Sequence, residues 1–157
     1  MGNHKNFQSP SRNSSAPPKL NIKWVTGEEK MGNDMIEWAK EAGRILATAN
    51  EIKEEKRKRK ALTTSQIRKF YGEVRRIYSD FGKYGEDAPM LNAKLAYAVG
   101  RSKSRKKNRN DKLGIEWFWE MFEDAIKKGA RSEENFRRLV KILEATVAYH
   151  KFYGGSD

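Results

Sequence analysis

The stretch from Leu62 to Phe81, LTTSQIRKFYGEVRRIYSDF, constrains this chain more than any other, because both its start and its buried face can be read from spacing. Thr63 and Gln66 stand at capping-box spacing, and Leu62 and Ile67 occupy the two positions of a hydrophobic staple, so four residues agree on where a helix begins. At 100° per residue, Ile67, Phe70, Tyr71, Val74, Ile77, Tyr78 and Phe81 share an arc of roughly 120°, which predicts one face against a core. On the rest of the wheel Lys69 is spaced to pair with Glu73, and Arg76 with Asp80. Arg68 and Arg75 have no acid at that spacing. They lie one heptad apart, with Gly72 and Ser79 completing the stripe, and a mid-helix glycine costs about 1 kcal/mol relative to alanine. Something is therefore expected to approach the backbone closely there. Two unpaired arginines beside a small residue suit a phosphate backbone, and two long side chains snorkelling along the core margin fit the same spacing.

The other helices follow the same pattern. Asp34 and Glu37 open a long one whose face is Met35, Trp38, Ala42, Ile45, Leu46, Ala49 and Ile52, running to about Arg57. It ends in KEEKRKRK, where Glu54 can pair with Lys58 and Glu55 with Arg59; a solvated helix end and an RNA contact both fit. After Phe81 the segment FGKYGEDAP reads as a loop, and Pro89 opens a third helix through Leu91, Leu95, Ala98 and Val99. A fourth spans Leu113 to Lys128, with Gly129 after it and Ile115, Phe118, Trp119, Phe122 and Ile126 on one face. Leu113, Trp117 and Met121 form a second stripe on that helix, so it is either sandwiched inside the fold or offers an aromatic patch to another protein. Ser132 caps a fifth, with Phe136, Leu139, Val140, Leu143 and Val147 inward and Glu133 and Glu134 spaced to pair with Arg137 and Arg138. The expected fold is all-α, a compact five-helix bundle over residues 34–157 with a basic loop at 102–112.

Residues 1–33 hold three of the four prolines and Lys5, Arg12, Lys19 and Lys23 before any acid, a composition expected to give a flexible basic arm. Within it Leu20, Ile22 and Trp24 alternate. They fit a strand added to a partner's sheet edge or, the favoured reading, a strap over this domain's own core.

The formal charge of +12 and a pI of about 9.9 favour a polyanionic partner. Nucleic acid comes ahead of an acidic membrane surface, since no long apolar run could insert. Lys94, Tyr97, Arg101 and Arg105 fall near one stripe with no acid at helical spacing. Seven Lys or Arg from Arg101 to Lys112, among them Lys103, Lys106 and Lys107, then meet a single Asp. A loop that continues a cationic stripe favours nucleic acid over simple solvation. The absence of cysteine excludes disulfides, thiolate metal sites and cysteine nucleophiles. With no apolar signal core at the N-terminus, a cytoplasmic protein is expected. His4 and His150 have no second His at ligand spacing, and no glycine-rich phosphate loop or DxD cluster exists. His150 reads as a helix-end or surface histidine rather than a general base. No cofactor, no metal and no enzymatic activity are expected.

Three phrases in fixed order, LTTSQIRKFYGEV at 62–74, KLAYAVGR at 94–101 and EATVAYHKFYGG at 144–155, together resemble the small subunit of Csm-type, type III-A CRISPR interference complexes. The resemblance covers about the last 95 residues and implies an all-helical, non-catalytic subunit, present in repeated copies that touch guide and target RNA and the other Csm subunits. Position by position it takes in Arg68, Lys94 and Arg101; Arg75 rests on the stripe argument alone. The third phrase carries Tyr149, His150, Lys151 and Tyr153. With Tyr149 and Tyr153 beside Ile142 on a widened apolar arc, that end reads as core or subunit contact. The RNA-binding candidates are thus Arg68, Arg75, Lys94, Arg101, Lys103, Arg105, Lys106 and Lys107; the subunit-contact candidates are Trp117, Met121, Tyr149 and Tyr153. A free-standing helical RNA or DNA binder and a peripheral membrane or partner-helix adaptor are the rival readings.

Overall fold

The computed structural model describes residues 17–48, 51–52, 57–104 and 112–155, with side chains for all of these except 51–52, 57–60 and 112–113. Seven α-helices, rather than five, make up the described fold: α1 (Lys23–Thr26), α2 (Asn33–Ala47), α3 (Thr64–Ser79), α4 (Phe81–Tyr84), α5 (Met90–Lys103), α6 (Gly114–Gly129) and α7 (Glu133–Phe152). The five long helices occupy the five expected places. The two extra ones are single turns. One of them, α4, with the 3-10 turn Gly85–Asp87, replaces the expected loop after Phe81, because the Asp80 side chain accepts from the Lys83 amide at 3.1 Å and restarts a helix.

The start of α3 is as its sequence dictates. The Gln66 amide donates to Thr63 Oγ1 at 3.1 Å and the Thr63 amide to Gln66 Oε1 at 3.0 Å, while Leu62 and Ile67 are both buried. Ser132 caps α7 in one direction only, its Oγ accepting from the Asn135 amide at 3.1 Å.

Helix α2 stops at Ala47, ten residues short of Arg57 where the apolar pattern was expected to carry it. Thr48 is extended, and its hydroxyl donates to the Arg44 carbonyl, offering the backbone an alternative to the next turn. The Leu46 carbonyl, which a continuing helix would need, accepts instead from the Leu62 amide at 2.8 Å. Beyond it, the described residues pair as short backbone ladders: β1 (Glu51–Ile52) runs antiparallel to β2 (Arg57–Lys60), and β2 runs parallel to β3 (Lys112–Leu113).

The core is one cluster threaded by aromatic rings. Trp24 on α1 meets Trp38 on α2 edge-on at 6.5 Å, Trp38 meets Phe122 on α6 at 5.8 Å, Phe122 lies 4.9 Å from Phe118, and Phe118 meets Phe70 on α3 at 5.2 Å. The 20-residue α7 packs against α1, α2, α3 and α6. Its approach to α2 is close enough that a Cβ at Gly43 would sit 2.7 Å from the His150 backbone nitrogen. Leu20, Trp24 and Val25 are buried, so the expected flexible arm of residues 1–33 is packed from about Leu20 onward. This is the strap over the domain's own core, made as one helical turn rather than an alternating strand, since Trp24 and Val25 both turn inward. Residues 1–16 lie outside the described residues.

Candidate nucleic-acid interface

With Ile67, Phe70, Val74 and Ile77 held in the core, the opposite arc of α3 is left to solvent, and Arg68, Gly72, Arg75 and Ser79 are all exposed along it. Neither Arg68 nor Arg75 has an ion-pair partner among the described residues; Arg75 leans over the Tyr71 ring at 5.9 Å. A Cβ at Gly72 would meet nothing within 4 Å, so no contact among the described residues accounts for a glycine in mid-helix. The snorkelling alternative leaves that glycine without a purpose.

The other half of the arc is organised around Glu73. This half-buried carboxylate accepts from Arg76 Nε at 2.7 Å and from Lys94 Nζ at 2.8 Å, tying α3 to α5. The Arg76 hydrogen bond, and then that of Lys94, hold its carboxyl down at about 2. Arg76 is raised above its ordinary value by Glu73 and by Asp87, 2.8 Å away, and its guanidinium lies over the Tyr84 ring. The pairings differ from those expected by spacing. Asp80 caps α4, so Arg76 pairs with Asp87 from the 3-10 turn; Glu73 is taken by Arg76 and Lys94, leaving Lys69 exposed and without an ion-pair partner among the described residues. Spacing along one helix cannot reveal a partner brought in by another.

On α5, burial of Leu91, Leu95 and Val99 turns Met90, Ala93, Lys94, Tyr97, Gly100, Arg101 and Ser104 outward, an arc without an acid. Arg101 is exposed, with no ion-pair partner among the described residues. The expectation that Lys94 lacks an acid is corrected by Glu73, and Lys103 stands 3.7 Å from Glu116 of α6. Arg105, Lys106 and Lys107 lie outside the described residues. The parallel ladder Arg59↔Lys112 sets the backbones of the two most basic stretches of sequence side by side, a juxtaposition that no local periodicity could signal.

The subunit-contact candidates fare differently. Trp117 is 1% exposed and Met121 4%, which corrects the aromatic-patch alternative: α6 is packed by α1, α2, α5 and α7, and its exposed positions reduce to Glu120, Asp124 and Lys127. A second apolar stripe marks a helix with neighbours on both sides. Tyr149 and Tyr153 are half-buried, and beside Tyr153, ring to ring at 4.9 Å, stands Phe152, 75% exposed and missed by a reading that followed only the core arc. His150 is buried, not a surface residue. Its Nε2 donates to the Leu62 carbonyl at 2.7 Å, across 88 residues of sequence, and burial pushes its pKa below the ordinary value. It fastens the end of α7 to the start of α3.

Elsewhere, a cavity of about 550 Å³ lies between α1, α2 and α7, with Trp24, Met35 and Ile36 on its apolar side and Arg137 and Lys141 on its rim. Among the described residues no group of three His, Cys, Asp or Glu is placed to hold a metal ion, and no helix is long and apolar enough to cross a membrane.

The family model described as Csm2 Type III-A matches residues 39–156 of this chain. A Streptococcus thermophilus protein described as "CRISPR system Cms protein Csm2" is 33% identical over 101 residues, which take in 61% of this chain and 76% of that protein. No solved structure matches.

Proposed function

Because the chain belongs to the Csm2 type III-A family, we propose that it serves as a non-catalytic small subunit of a type III-A CRISPR ribonucleoprotein, contacting guide or target RNA through the outer arcs of α3 and α5. In that role it works in the cytoplasm, in antiviral defence, in repeated copies beside other Csm subunits, and its own chemistry is confined to binding. The observation that carries the RNA reading is the open stripe of α3: two arginines one helical heptad apart, without acidic partners among the described residues, flanking a glycine that none of those residues approaches. At 1.5 Å per residue they stand about 10 Å apart along the axis, a spacing that lets both reach phosphates of one backbone while the glycine admits it between them. The end of α7, with Tyr149, Phe152 and Tyr153, supplies the surface for a neighbouring subunit or a further copy.

Binding isotherms at several salt concentrations test this. Removing a single phosphate-binding cation flattens the dependence of log affinity on log salt by about 0.7 to 0.9. Arg68→Ala with Arg75→Ala is expected to remove more than one unit of slope. Arg76→Ala with Arg137→Ala removes the same charge from arginines already paired to Glu73, Asp87 and Glu134, and is expected to change it far less. Equal effects from the two pairs would reduce the interface to bulk charge. Sequencing the RNA that co-purifies from native cells separates the ribonucleoprotein subunit, which brings repeat-derived guides, from a free-standing binder, which brings a broad transcriptome sample.

A further inference from the structure

Tyr97 is 73% exposed, and its ring and hydroxyl have no hydrogen-bond, ring or cation partner among the described residues. A single exposed aromatic needs no explanation by itself. Its surroundings set this one apart. Ala93 lies one turn before it and Gly100 one turn after, both exposed, and a Cβ at Gly100 would meet nothing within 4 Å. Of the glycines inside long helices, Gly43 is packed against α7, whereas a Cβ at Gly72 or Gly100 would meet no described residue within 4 Å, each glycine lying on an arc that carries an arginine without an ion-pair partner among the described residues. Arg101, exposed and without an ion-pair partner among the described residues, follows the tyrosine by four residues, while Lys94, three residues before it, is held by Glu73 at 2.8 Å; the phenol therefore has one available cation a turn away and room on both sides for a flat ring.

We propose that Tyr97 is a stacking platform for an unpaired RNA base, with Arg101, one turn on, holding the neighbouring phosphate. This rests on the RNA-contact reading above and adds the form of RNA that is held: a base can lie on the phenol only if it has left its own stack, so the tyrosine recognises single-stranded or flipped-out nucleotides and not the interior of a duplex. It reads no sequence, since every base offers a π-face.

The test uses the full chain, a single-stranded RNA oligonucleotide and a blunt duplex of the same length, with Tyr97→Ala and Tyr97→Phe. Loss of one base stack is expected to weaken single-strand binding of Tyr97→Ala by about 5- to 150-fold. Duplex affinity and salt slope stay unchanged, and Tyr97→Phe stays within about twofold of the parent because the ring is what matters. Circular dichroism is expected to be unaltered, alanine being favourable on an exposed helix face. Equal losses on single strand and duplex, a loss in Tyr97→Phe as large as in Tyr97→Ala, or a salt slope lowered by a full phosphate's worth would each overturn the stacking role while leaving RNA contact intact. Unchanged RNA affinity in Tyr97→Ala with reduced recovery of other subunits would overturn it in favour of a protein contact. Failure of the parent chain to bind either RNA would bring down the stacking role and the RNA-contact reading together.

Discussion

Helix α3 and helix α6 each carry a second stripe beside the one that lines the common core. In α3 it is Arg68, Gly72, Arg75 and Ser79, all exposed; in α6 it is Trp117 and Met121, both buried. Spacing alone treats the two alike. What separates them is the free energy of leaving water: burying a large apolar side chain yields about 1.5 to 3 kcal/mol, whereas burying an unpaired charge costs more than packing returns. The fold therefore buries the second stripe of α6 and leaves that of α3 in solvent.

The largest expected effect tests the buried half of this contrast. Trp117→Ala should cost about 3 to 5 kcal/mol of folding stability, while Arg75→Ala should stay within about 0.5 kcal/mol. Denaturant titration of both variants is the measurement, and a Trp117→Ala chain as stable as its parent would return that residue to the surface and erase the difference between the helices.

Two helical glycines repeat the contrast on a smaller scale. A methyl at Gly43 would sit 2.7 Å from the backbone nitrogen of His150 and from Tyr149 Cβ, atoms that cannot move without shifting α7. Gly43→Ala is expected to lose about 1 to 3 kcal/mol by overpacking, read from the same titration. A neutral result would mean that α2 and α7 pack less closely than described.

Acid should dismantle the interior and the outer face in different pH windows. His150 is buried neutral, so its folded pKa lies below its ordinary 6.5. The unfolded chain takes up the proton first, and stability declines as pH falls through and below that value. Glu73, held at about 2 against an ordinary 4.5, gives stability that is complete above 4.5 and is lost between there and about 2. His150→Gln should flatten the first slope and leave the second. Stability followed from pH 7 to 3 checks this, and a His150→Gln profile parallel to that of the parent would remove histidine from the account.

Much of this was legible in the sequence where one helix decides the matter. The capping box at Thr63, the staple of Leu62 and Ile67, the cap at Ser132 and the inward faces of all five long helices depend on residues within one or two turns of each other. The open stripe of Arg68, Gly72 and Arg75 is local in the same sense. Illegible were the features that depend on what another element brings: Glu73 taken by Lys94 rather than Lys69, Arg76 reaching Asp87, Lys103 beside Glu116, and α2 halted because the Leu62 amide claims its Leu46 carbonyl. His150 belongs to this group as well, since its partner lies 88 residues away. Trp117 sits between the two kinds, because periodicity marked its stripe but only the packing of the neighbouring helices shows which way the stripe turns.

The smallest expected effect is on the glycine that the open stripe contains. Gly72 has helical neighbours on both sides and empty space where a side chain would go, so Gly72→Ala should raise stability by up to about 1 kcal/mol. For a chain of this size that is an increase of about 2 to 4 °C in Tm. If a phosphate backbone passes between Arg68 and Arg75 over Gly72, each added carbon should obstruct it. RNA affinity should therefore fall slightly in Gly72→Ala and more in Gly72→Leu, while both variants fold at least as well as the parent. Thermal melts and binding isotherms on the same preparations give the two trends. Opposite signs would identify the stripe as a contact surface, whereas a gain in stability with no loss of affinity in either variant would leave Arg68 and Arg75 as ordinary solvated charges, and α3 would lose the distinction that sets it against α6.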